Sequence, residues 1–275
     1  MSDFRFPKAK RSFGQNFLVD QRFVAKIVMA AKLDDESTVV EIGPGRGALT
    51  KELLRRAAKV IAIELDRELA ALLREEIRDS ANFELIEKDA LEVDFNEISL
   101  ANGSKIKLVA NLPYNISTAL LSRLINARHS FESMILMFQR EVVERIMAPP
   151  ETSERGYFTV MVEAFMTVEK LFDVPPTAFR PVPKVWSSVA RLLPKEMTEF
   201  DLDPQLFESL VSTAFLQKRK TLQNNLKQAK FDISNAVTVL ENASIDPKRR
   251  AETLSIDEWE RLFIEVRSGG TPARE

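Results

Sequence analysis

From residue 38 onward, short β-branched runs alternate with stretches that carry apolar residues at helical spacing. Strands that are separated by helices cannot pair through tight hairpins, so this alternation predicts a parallel sheet with helices packed on its faces. The predicted strands begin at Thr38, Lys59, Phe83, Lys107 and Ser133. The sequence therefore predicts an α/β fold for this part of the chain.

The pattern changes in the last third of the chain. Residues 169–174 and 184–192 are expected to form a pair of edge strands, and the strand signal ends near Pro194. Beyond Pro204, helical apolar spacing recurs over residues 206–216, 219–228, 234–242 and 256–266. We therefore predict two domains: residues 1–199 with the sheet and a basic N-terminal arm, and residues 200–275 as a small all-helical domain.

Basic residues concentrate in two segments of a chain whose net charge is −2. Residues 1–33 carry a net charge of +5 and residues 205–230 a net charge of +4, so the remainder is acidic. The two segments are either a localised site for a polyanion such as RNA or merely solvated surfaces. The candidate phosphate contacts are Lys10, Arg11, Lys218, Arg219 and Lys220.

The composition excludes several chemistries. The chain has no cysteine and a single histidine, which removes disulfides, thiolate nucleophiles and the usual zinc ligands, so we expect no metal. No run approaches the ~18 consecutive apolar residues of a membrane span. The first residues also lack the apolar segment of a signal peptide. We expect a cytoplasmic protein without a membrane contact.

Residues 41–47 read Glu-Ile-Gly-Pro-Gly-Arg-Gly, between the first predicted strand and a helix. Glycines in such a turn let the backbone approach a ligand closely. The segment is not a phosphate-binding P-loop, because no Lys-Ser/Thr pair follows. The spacing of Gly43, Gly45 and Gly47 also differs from the G-x-G-x-x-G pattern of dinucleotide sites and is typical of the cofactor loop of class I methyltransferases.

Two carboxylates follow the next two predicted strands. Glu64 ends the second strand, where a carboxylate can accept both hydroxyls of a cofactor ribose. Asp89 follows the third strand and is placed to accept a hydrogen bond from an adenine amino group. Either acid alone could be an ordinary surface residue, but together with the glycine loop they predict a nucleoside cofactor site.

The sequence Asn111-Leu-Pro-Tyr follows the fourth predicted strand. The exocyclic nitrogen of adenine is a poor nucleophile, and the Asn111 side-chain oxygen with the Leu112 carbonyl can accept both of its N–H bonds as it pyramidalises. Pro113 stiffens the turn, and Tyr114 offers a ring on which an unstacked base can lie. The alternative is a plain Asn-x-Pro turn with a packing tyrosine. We interpret these four residues as catalytic.

Five segments together resemble the ribosomal RNA adenine dimethyltransferase family over essentially the whole chain. They are residues 10–18, 41–47, 111–114, 179–185 and 215–226. The resemblance implies a Rossmann-like class I methyltransferase sheet, S-adenosyl-L-methionine as cofactor and a monomer that acts on the small ribosomal subunit. It also implies transfer of four methyl groups to two adjacent adenosines in the 3′-terminal hairpin loop of small-subunit (16S) rRNA, with the helical domain contacting RNA or the ribosome.

The resemblance also assigns individual residues. The cofactor contacts it implies are Asn16, Leu18, Gly43, Glu64, Asp89 and Asn111. Tyr114 and Phe179 would sandwich the target base. Residues 154–159 (Glu-Arg-Gly-Tyr-Phe-Thr) depart from the family pattern, which leaves RNA contacts there open.

Three rival functions stay open. One is an adenine methyltransferase of large-subunit rRNA, which shares the cofactor and Asn-Leu-Pro-Tyr motifs, although residues 179–185 and 215–226 favour the small subunit. Another is a non-catalytic assembly or transcription factor, disfavoured by the intact Glu64, Asp89 and Asn111. A nicotinamide dehydrogenase is disfavoured by the glycine spacing. Trp186 and Trp259 are expected to be packing residues.

Overall fold

The computed structural model describes residues 10, 14–114, 116–195, 203–227 and 236–269. These residues divide into two units. The first comprises the described residues up to Val143 together with Thr167–Pro194, and the second comprises Glu144–Met166 together with those from Lys195 onward. The segment Glu144–Met166 thus groups with the C-terminal helices, whereas the sequence assigned it to the sheet domain.

Within the described ranges, seven strands form one mixed sheet and two short strands form a separate ladder. The strands are β1 (Phe17–Leu18), β2 (Thr38–Ile42), β3 (Lys59–Glu64), β4 (Phe83–Glu87), β5 (Ile106–Asn111), β6 (Phe131–Gln139), β7 (Met166–Val174), β8 (Phe179–Arg180) and β9 (Ser187–Pro194). The sheet order is β4-β3-β2-β5-β6-β9-β7, and β1 pairs with β8.

The strands from β4 to β6 run parallel, and β9 runs antiparallel to β6. The sequence expected β7 and β9 as a pair of edge strands, but β9 lies inside the sheet between β6 and β7. Its consecutive residues Val189 and Ala190 are both fully buried, as a strand covered on both faces requires. The prediction of an edge position for β9 was therefore wrong.

Helices connect the strands and fill the second unit. They are α1 (Gln21–Ala30), α2 (Ala48–Leu53), α3 (Arg67–Glu76), α4 (Phe95–Asn102), α5 (Ser117–Asn126), α6 (Arg140–Ile146), α7 (Tyr157–Phe165), α8 (Pro204–Ala214), α9 (Leu222–Leu226), α10 (Ala236–Asn242) and α11 (Ile256–Gly269). Asp20, Asp66 and Asp94 begin α1, α3 and α4 as N-caps, each accepting a backbone N–H with its carboxylate. The predicted α/β sheet and the helical C-terminal region are confirmed.

The chain reverses its direction of travel across the sheet at β2. It passes from β2 through β3 to β4 on one side, then returns to place β5 on the other side of β2. At such a switch point, the connections that leave the carboxyl ends of the two central strands diverge and open a crevice. The fold therefore predicts a ligand site where β2 and β5 end.

The second unit has its own aromatic core. Trp259 is fully buried and stacks on Phe215, with ring centroids 5.9 Å apart, which confirms its predicted packing role. Arg155, in the segment that departs from the family pattern, is only 1% exposed, and its Nη2 lies 2.6 Å from Glu163 Oε2. A buried guanidinium requires such a partner, so Arg155 serves packing within this unit rather than RNA contact.

Candidate active site

A cleft in the first unit opens at the carboxyl ends of β2, β3, β4 and β5. It encloses about 1040 Å³ when the solvent in its open mouth is included. All six residues that the sequence assigned to the cofactor line it: Asn16, Leu18, Gly43, Glu64, Asp89 and Asn111. Leu112, Pro113 and Tyr114 line it as well.

The glycine loop curves tightly around one wall of this cleft. Gly43, Gly45 and Gly47 all have positive φ angles, of 66°, 59° and 74°. A Cβ atom on Gly45 would lie 3.0 Å from the Phe17 ring, and one on Gly47 would lie 3.0 Å from Leu73. The chain thus needs glycine here both for its backbone conformation and for space, and the loop presents bare backbone to a ligand.

Glu64 is fixed at the end of β3 by two backbone donors. Its Oε2 accepts the Gly45 N–H at 3.1 Å, and its Oε1 accepts the Asp66 N–H at 2.9 Å. Burial raises the pKa of Glu64, which is only 7% exposed. Each carboxylate oxygen retains capacity for a second hydrogen bond, so this rigid group can accept hydroxyl donors from a ligand.

Asp89 occupies the corresponding position after β4. Its Oδ1 accepts the Leu91 N–H at 2.9 Å and caps the short helical turn Ala90–Glu92. This bond fixes the carboxylate at the cleft wall. The carboxylates at the ends of two adjacent strands therefore face one cleft, as a nucleoside with both ribose hydroxyls and an amino group requires.

Asn111 ends β5 on the opposite side of the switch point. Its Nδ2 donates to the Asn16 carbonyl at 3.1 Å, which fixes the amide plane and leaves Oδ1 to serve as an acceptor. Tyr114 Oη lies 2.7 Å from Ser187 Oγ. Burial raises the pKa of Tyr114, so the phenol stays neutral at physiological pH.

The sequence analysis missed a polar cluster at the cleft wall. Asp66, which is 3% exposed and lines the cleft, accepts hydrogen bonds from Lys10 Nζ at 2.9 Å and Gln15 Nε2 at 3.0 Å. Burial alone would raise the pKa of Asp66, but the bonds from Lys10, Gln15 and the Glu68 N–H together hold it below its usual range. The sequence could have indicated Asp66 as a site residue, because it stands between the end of β3 and the start of α3.

This cluster changes the interpretation of Lys10. The sequence analysis assigned Lys10 to an RNA phosphate, but its ammonium lies 2.9 Å from Asp66 and 3.1 Å from Glu68. The two carboxylates compensate its charge, so in this structure the Lys10 side chain is bound at the cleft wall. Arg11 lies outside the described residues.

Glu41 is a second group that the sequence analysis did not assign individually. It sits on β2 inside the cleft with 1% exposure, and burial raises its pKa to about 8, with the nearby Glu64 adding to the rise. In the loop that follows β2, the Arg46 guanidinium lies 4.4 Å from the centroid of the Phe17 ring. Glu41 is thus a carboxyl held neutral in a cleft that contains two further buried acids, Glu64 and Asp66.

Phe179 does not reach the cleft. Its side chain is fully buried in the hydrophobic core of the first unit, and on β8 it pairs with Leu18 of β1. In this structure Tyr114 and Phe179 therefore do not form the predicted sandwich around a base, because the Phe179 ring is packed in the hydrophobic core.

The predicted basic cluster of the second unit lies on the surface. Lys218, Arg219 and Lys220 are all exposed in the turn between α8 and α9. Lys218 Nζ donates to the Ser153 carbonyl within the same unit. Arg219 and Lys220 extend the positive charge of this surface.

The described residues bring no three His, Cys, Asp or Glu side chains together in a group that could hold a metal ion. In the same part of the chain, no helix has the length and apolarity that crossing a membrane demands.

Comparisons with known proteins agree with this geometry. The profile of the family described as "Ribosomal RNA adenine dimethylase" matches residues 6–267. The Ribosomal RNA small subunit methyltransferase A of Clostridium botulinum (strain ATCC 19397 / Type A) is 45% identical over 261 residues, covering 94% of each chain. The protein of the same name from Clostridium acetobutylicum is 42% identical over 265 residues, covering 96% of this chain and 95% of its own.

Solved structures extend the likeness to the fold. A dimethyladenosine transferase from Plasmodium falciparum superposes with a TM-score of 0.79 at 29% identity, over 92% of this chain and 98% of that one. The 23S rRNA methyltransferase ErmE superposes with a TM-score of 0.67 at 28% identity, over 92% of this chain and all of the other. The Rossmann-like class I methyltransferase fold and S-adenosyl-L-methionine as cofactor, both expected from the sequence, are thereby confirmed. The chain belongs to the ribosomal RNA adenine dimethylase family and is an S-adenosyl-L-methionine-dependent rRNA adenine dimethyltransferase.

Proposed function

We propose that this enzyme dimethylates N6 of two adjacent adenosines in the 3′-terminal hairpin loop of small-subunit (16S) rRNA, in the cytoplasm and as a monomer. The support for the small subunit is the 45% identity to relatives named for that subunit, against 28% to ErmE. The observation that carries the chemistry is the place of Asn111, whose anchored amide shares one cleft with Glu64 and Asp89.

The cofactor fits the residues that are present. Gly43 and Gly45 line the cleft with backbone that carries no side chain, which leaves room for a ligand against the loop. We propose that Glu64 accepts the ribose hydroxyls and Asp89 the adenine amino group, while Asn16, Leu18 and Gly43 complete the contact. When bound, S-adenosyl-L-methionine supplies an electrophilic methyl group.

Asn111 and Leu112 then prepare the nucleophile. The Asn111 side-chain oxygen and the Leu112 carbonyl accept the two N–H bonds of the adenine amine, which releases its lone pair from the ring and aims it at the methyl group. Asn16 holds the Asn111 amide in the orientation that this role needs. No general base is necessary, because the nitrogen becomes acidic once it is alkylated.

Tyr114 and Pro113 position the base. Pro113 stiffens the turn after β5, and the Tyr114 ring supports the target adenine after it leaves its stack. Loop adenines leave their stack at lower cost than paired ones, which favours a hairpin loop as substrate. After one transfer the amine still has an N–H for an acceptor, so a second transfer at the same site can follow.

The exposed cations Arg219 and Lys220, with Lys218, are proposed to bind RNA phosphates. On a net-acidic protein this one cluster supports only weak binding of naked RNA, so we expect higher activity on partly assembled small subunits. The helical C-terminal residues would then serve RNA or ribosome binding.

The test supplies labelled cofactor to small subunits and to large subunits purified from an unmethylated strain. The labelled nucleotides are mapped by nuclease digestion and mass spectrometry. We expect label in two adjacent N6,N6-dimethyladenosines of small-subunit rRNA. Label confined to the large subunit would establish the activity of an ErmE-like enzyme, and label in neither subunit would favour a binding role without catalysis.

A further inference from the structure

Trp186 exposes 44% of its surface, although the sequence predicted a packing residue. It ends the run of residues 180–186, which contains two cations and no acid. Six of the seven residues of this run are exposed: Arg180, Pro181, Val182, Lys184, Val185 and Trp186. Contiguous exposed apolar groups indicate a binding surface, and an aromatic ring among cations is the composition that binds single-stranded nucleic acid.

The position of Trp186 relates this surface to the active site. Met137 on β6 pairs with Asn111, and Gln139, two residues further along β6, pairs with Ser187 on β9. Trp186 pairs with Arg140, three residues beyond Met137, so it lies two strands from Asn111 and past the same end of the strands. At ~4.8 Å between strands and ~3.3 Å per residue, the two backbone positions are roughly 14 Å apart. The hydrogen bond between Ser187 Oγ and Tyr114 Oη, at 2.7 Å, connects the two places directly.

The Arg140 guanidinium lies over the Trp186 ring. The Arg140 N–H donates to the Trp186 carbonyl at 2.9 Å, and the guanidinium carbon lies 6.0 Å from the ring centroid. Arg140 is itself exposed. An indole with a guanidinium over one face can stack a nucleobase on its other face while the cation contacts the adjoining phosphate.

We propose that Trp186 is the stacking platform for the nucleotide next to the target adenine, with Arg140 and Lys184 contacting its phosphates. The inference rests on the proposed function, because the platform continues the surface that receives the target base at Tyr114. If the substrate is a pair of adjacent adenosines, Trp186 holds one base while Asn111 receives the other. RNA is the occupant that the two cations of the run and the continuity with Asn111 favour.

A binding measurement follows from the tryptophan count. The chain has two tryptophans, and Trp259 is fully buried, so solvent-exposed emission comes from Trp186. Titration with the 3′-terminal hairpin of small-subunit rRNA is expected to quench this emission through stacking. The Trp186→Phe variant should bind the hairpin without the quench, since the remaining indole is buried.

A kinetic cycle tests the platform in the reaction. The Trp186→Leu variant keeps an apolar side chain but no ring, and we expect its KM for small subunits to rise about tenfold, within the ~5- to 150-fold that one stacked base contributes, with kcat little changed. Trp186→Phe should restore most of the affinity. Leu100→Ala, at a position 80% exposed on α4, is the control and should match the wild type.

The partner base is identified with hairpins that carry an abasic nucleotide beside the target. The KM of the wild type should be about as much higher on this RNA as Trp186→Leu raises it on the intact substrate. The KM of Trp186→Leu should not rise further when the base is missing. If the abasic nucleotide raises KM equally in the wild type and in Trp186→Leu, Trp186 does not stack that base. That result, or an unchanged KM of Trp186→Leu on the intact substrate, would overturn the proposal. Intact hairpin affinity with weakened binding only to protein-containing subunits would assign the surface to a ribosomal protein and also overturn it.

Failure of the platform differs visibly from failure of the proposed function. If the wild type methylates small-subunit rRNA but RNA neither quenches Trp186 emission nor shows the expected KM changes, only the platform proposal is overturned. Absence of methyl transfer to that RNA by the wild type overturns both.

Discussion

Gly45 donates its backbone N–H to the carboxylate of Glu64 at 3.1 Å, which joins the glycine loop after β2 to the acid that ends β3. A second backbone donor, from Asp66, holds the other carboxylate oxygen. The loop and the acid therefore form one hydrogen-bonded unit. A change at either position should alter the cofactor site as a whole rather than one contact.

Glu64→Ala should weaken binding of S-adenosyl-L-methionine and of its demethylated product alike. Loss of hydrogen bonds to a charged acceptor costs roughly 1.5–3 kcal/mol, or about 10- to 150-fold in affinity. Calorimetry with both ligands measures the effect, with Glu84→Ala on the exposed part of β4 as the control. Tight binding of NAD by the wild type, or unchanged affinity in the variant, would contradict this assignment.

Asn111→Ala should slow methyl transfer far more than it weakens RNA binding. The acceptor contributes most as the amine pyramidalises, and removal of one positioned polar group of this kind costs about 10²–10³ in rate. Single-turnover rates with saturating RNA separate this effect from binding. A near wild-type rate in the variant would refute the proposed chemistry.

Glu41 predicts a pH dependence of stability. Its pKa is about 8 in the folded protein against an ordinary value of 4.5, so between these values the folded state binds more protons than the unfolded state. Its contribution to the free energy of unfolding therefore falls as pH rises from about 4.5 to 8. Glu41→Gln removes this titration, so its Tm relative to that of the wild type should rise between pH 5 and 8.5. A constant Tm difference across that range, measured beside Glu84→Gln, would argue against a neutral Glu41.

Neutralising Lys218, Arg219 and Lys220 together should flatten the salt dependence of RNA binding. At ~0.7 per phosphate for single strands, the slope of log K against log salt should fall by about 2. The matched control neutralises three other exposed cations, Arg55, Lys59 and Arg78. They precede or begin β3 and β4, at the ends of the strands opposite the cleft. Equal slopes in the cluster variant and the wild type would make the cluster an ordinary solvated surface.

Local patterns in the sequence predicted most of the sheet and its cleft. Helix α5 carries its apolar residues at helical spacing, which is the local signal that predicts a helix between two strands. Helix α1 was not predicted, although Asp20 and the spacing of Val24, Ile27 and Val28 provided the signal. Helix α4 gave little signal, because Phe95 is its only fully buried residue.

The positions of two assigned site residues, Phe179 and Lys10, depend instead on contacts between distant segments. Phe179 is buried because its strand pairs with Leu18, far away in the chain, and the motif around it does not encode that contact. The ion pair of Lys10 with Asp66 likewise joins two residues that are 56 positions apart in the sequence. Strand ends and glycine spacing are local, so Glu64, Asp89 and Asn111 could be placed in the cleft from the sequence, whereas pairings between distant segments could not.

The packing of Gly45 against Phe17 also limits which substitutions these two positions tolerate. A Cβ atom at position 45 would lie 3.0 Å from the Phe17 ring, close enough that the ring would have to shift, and a smaller residue at position 17 would remove the ring over which the Arg46 guanidinium lies. The positive φ of Gly45 adds a penalty that no partner substitution relieves. The backbone conformation therefore favours glycine at position 45 whatever residue stands at position 17, and a smaller residue at position 17 would free space that no side chain at position 45 could fill without strain.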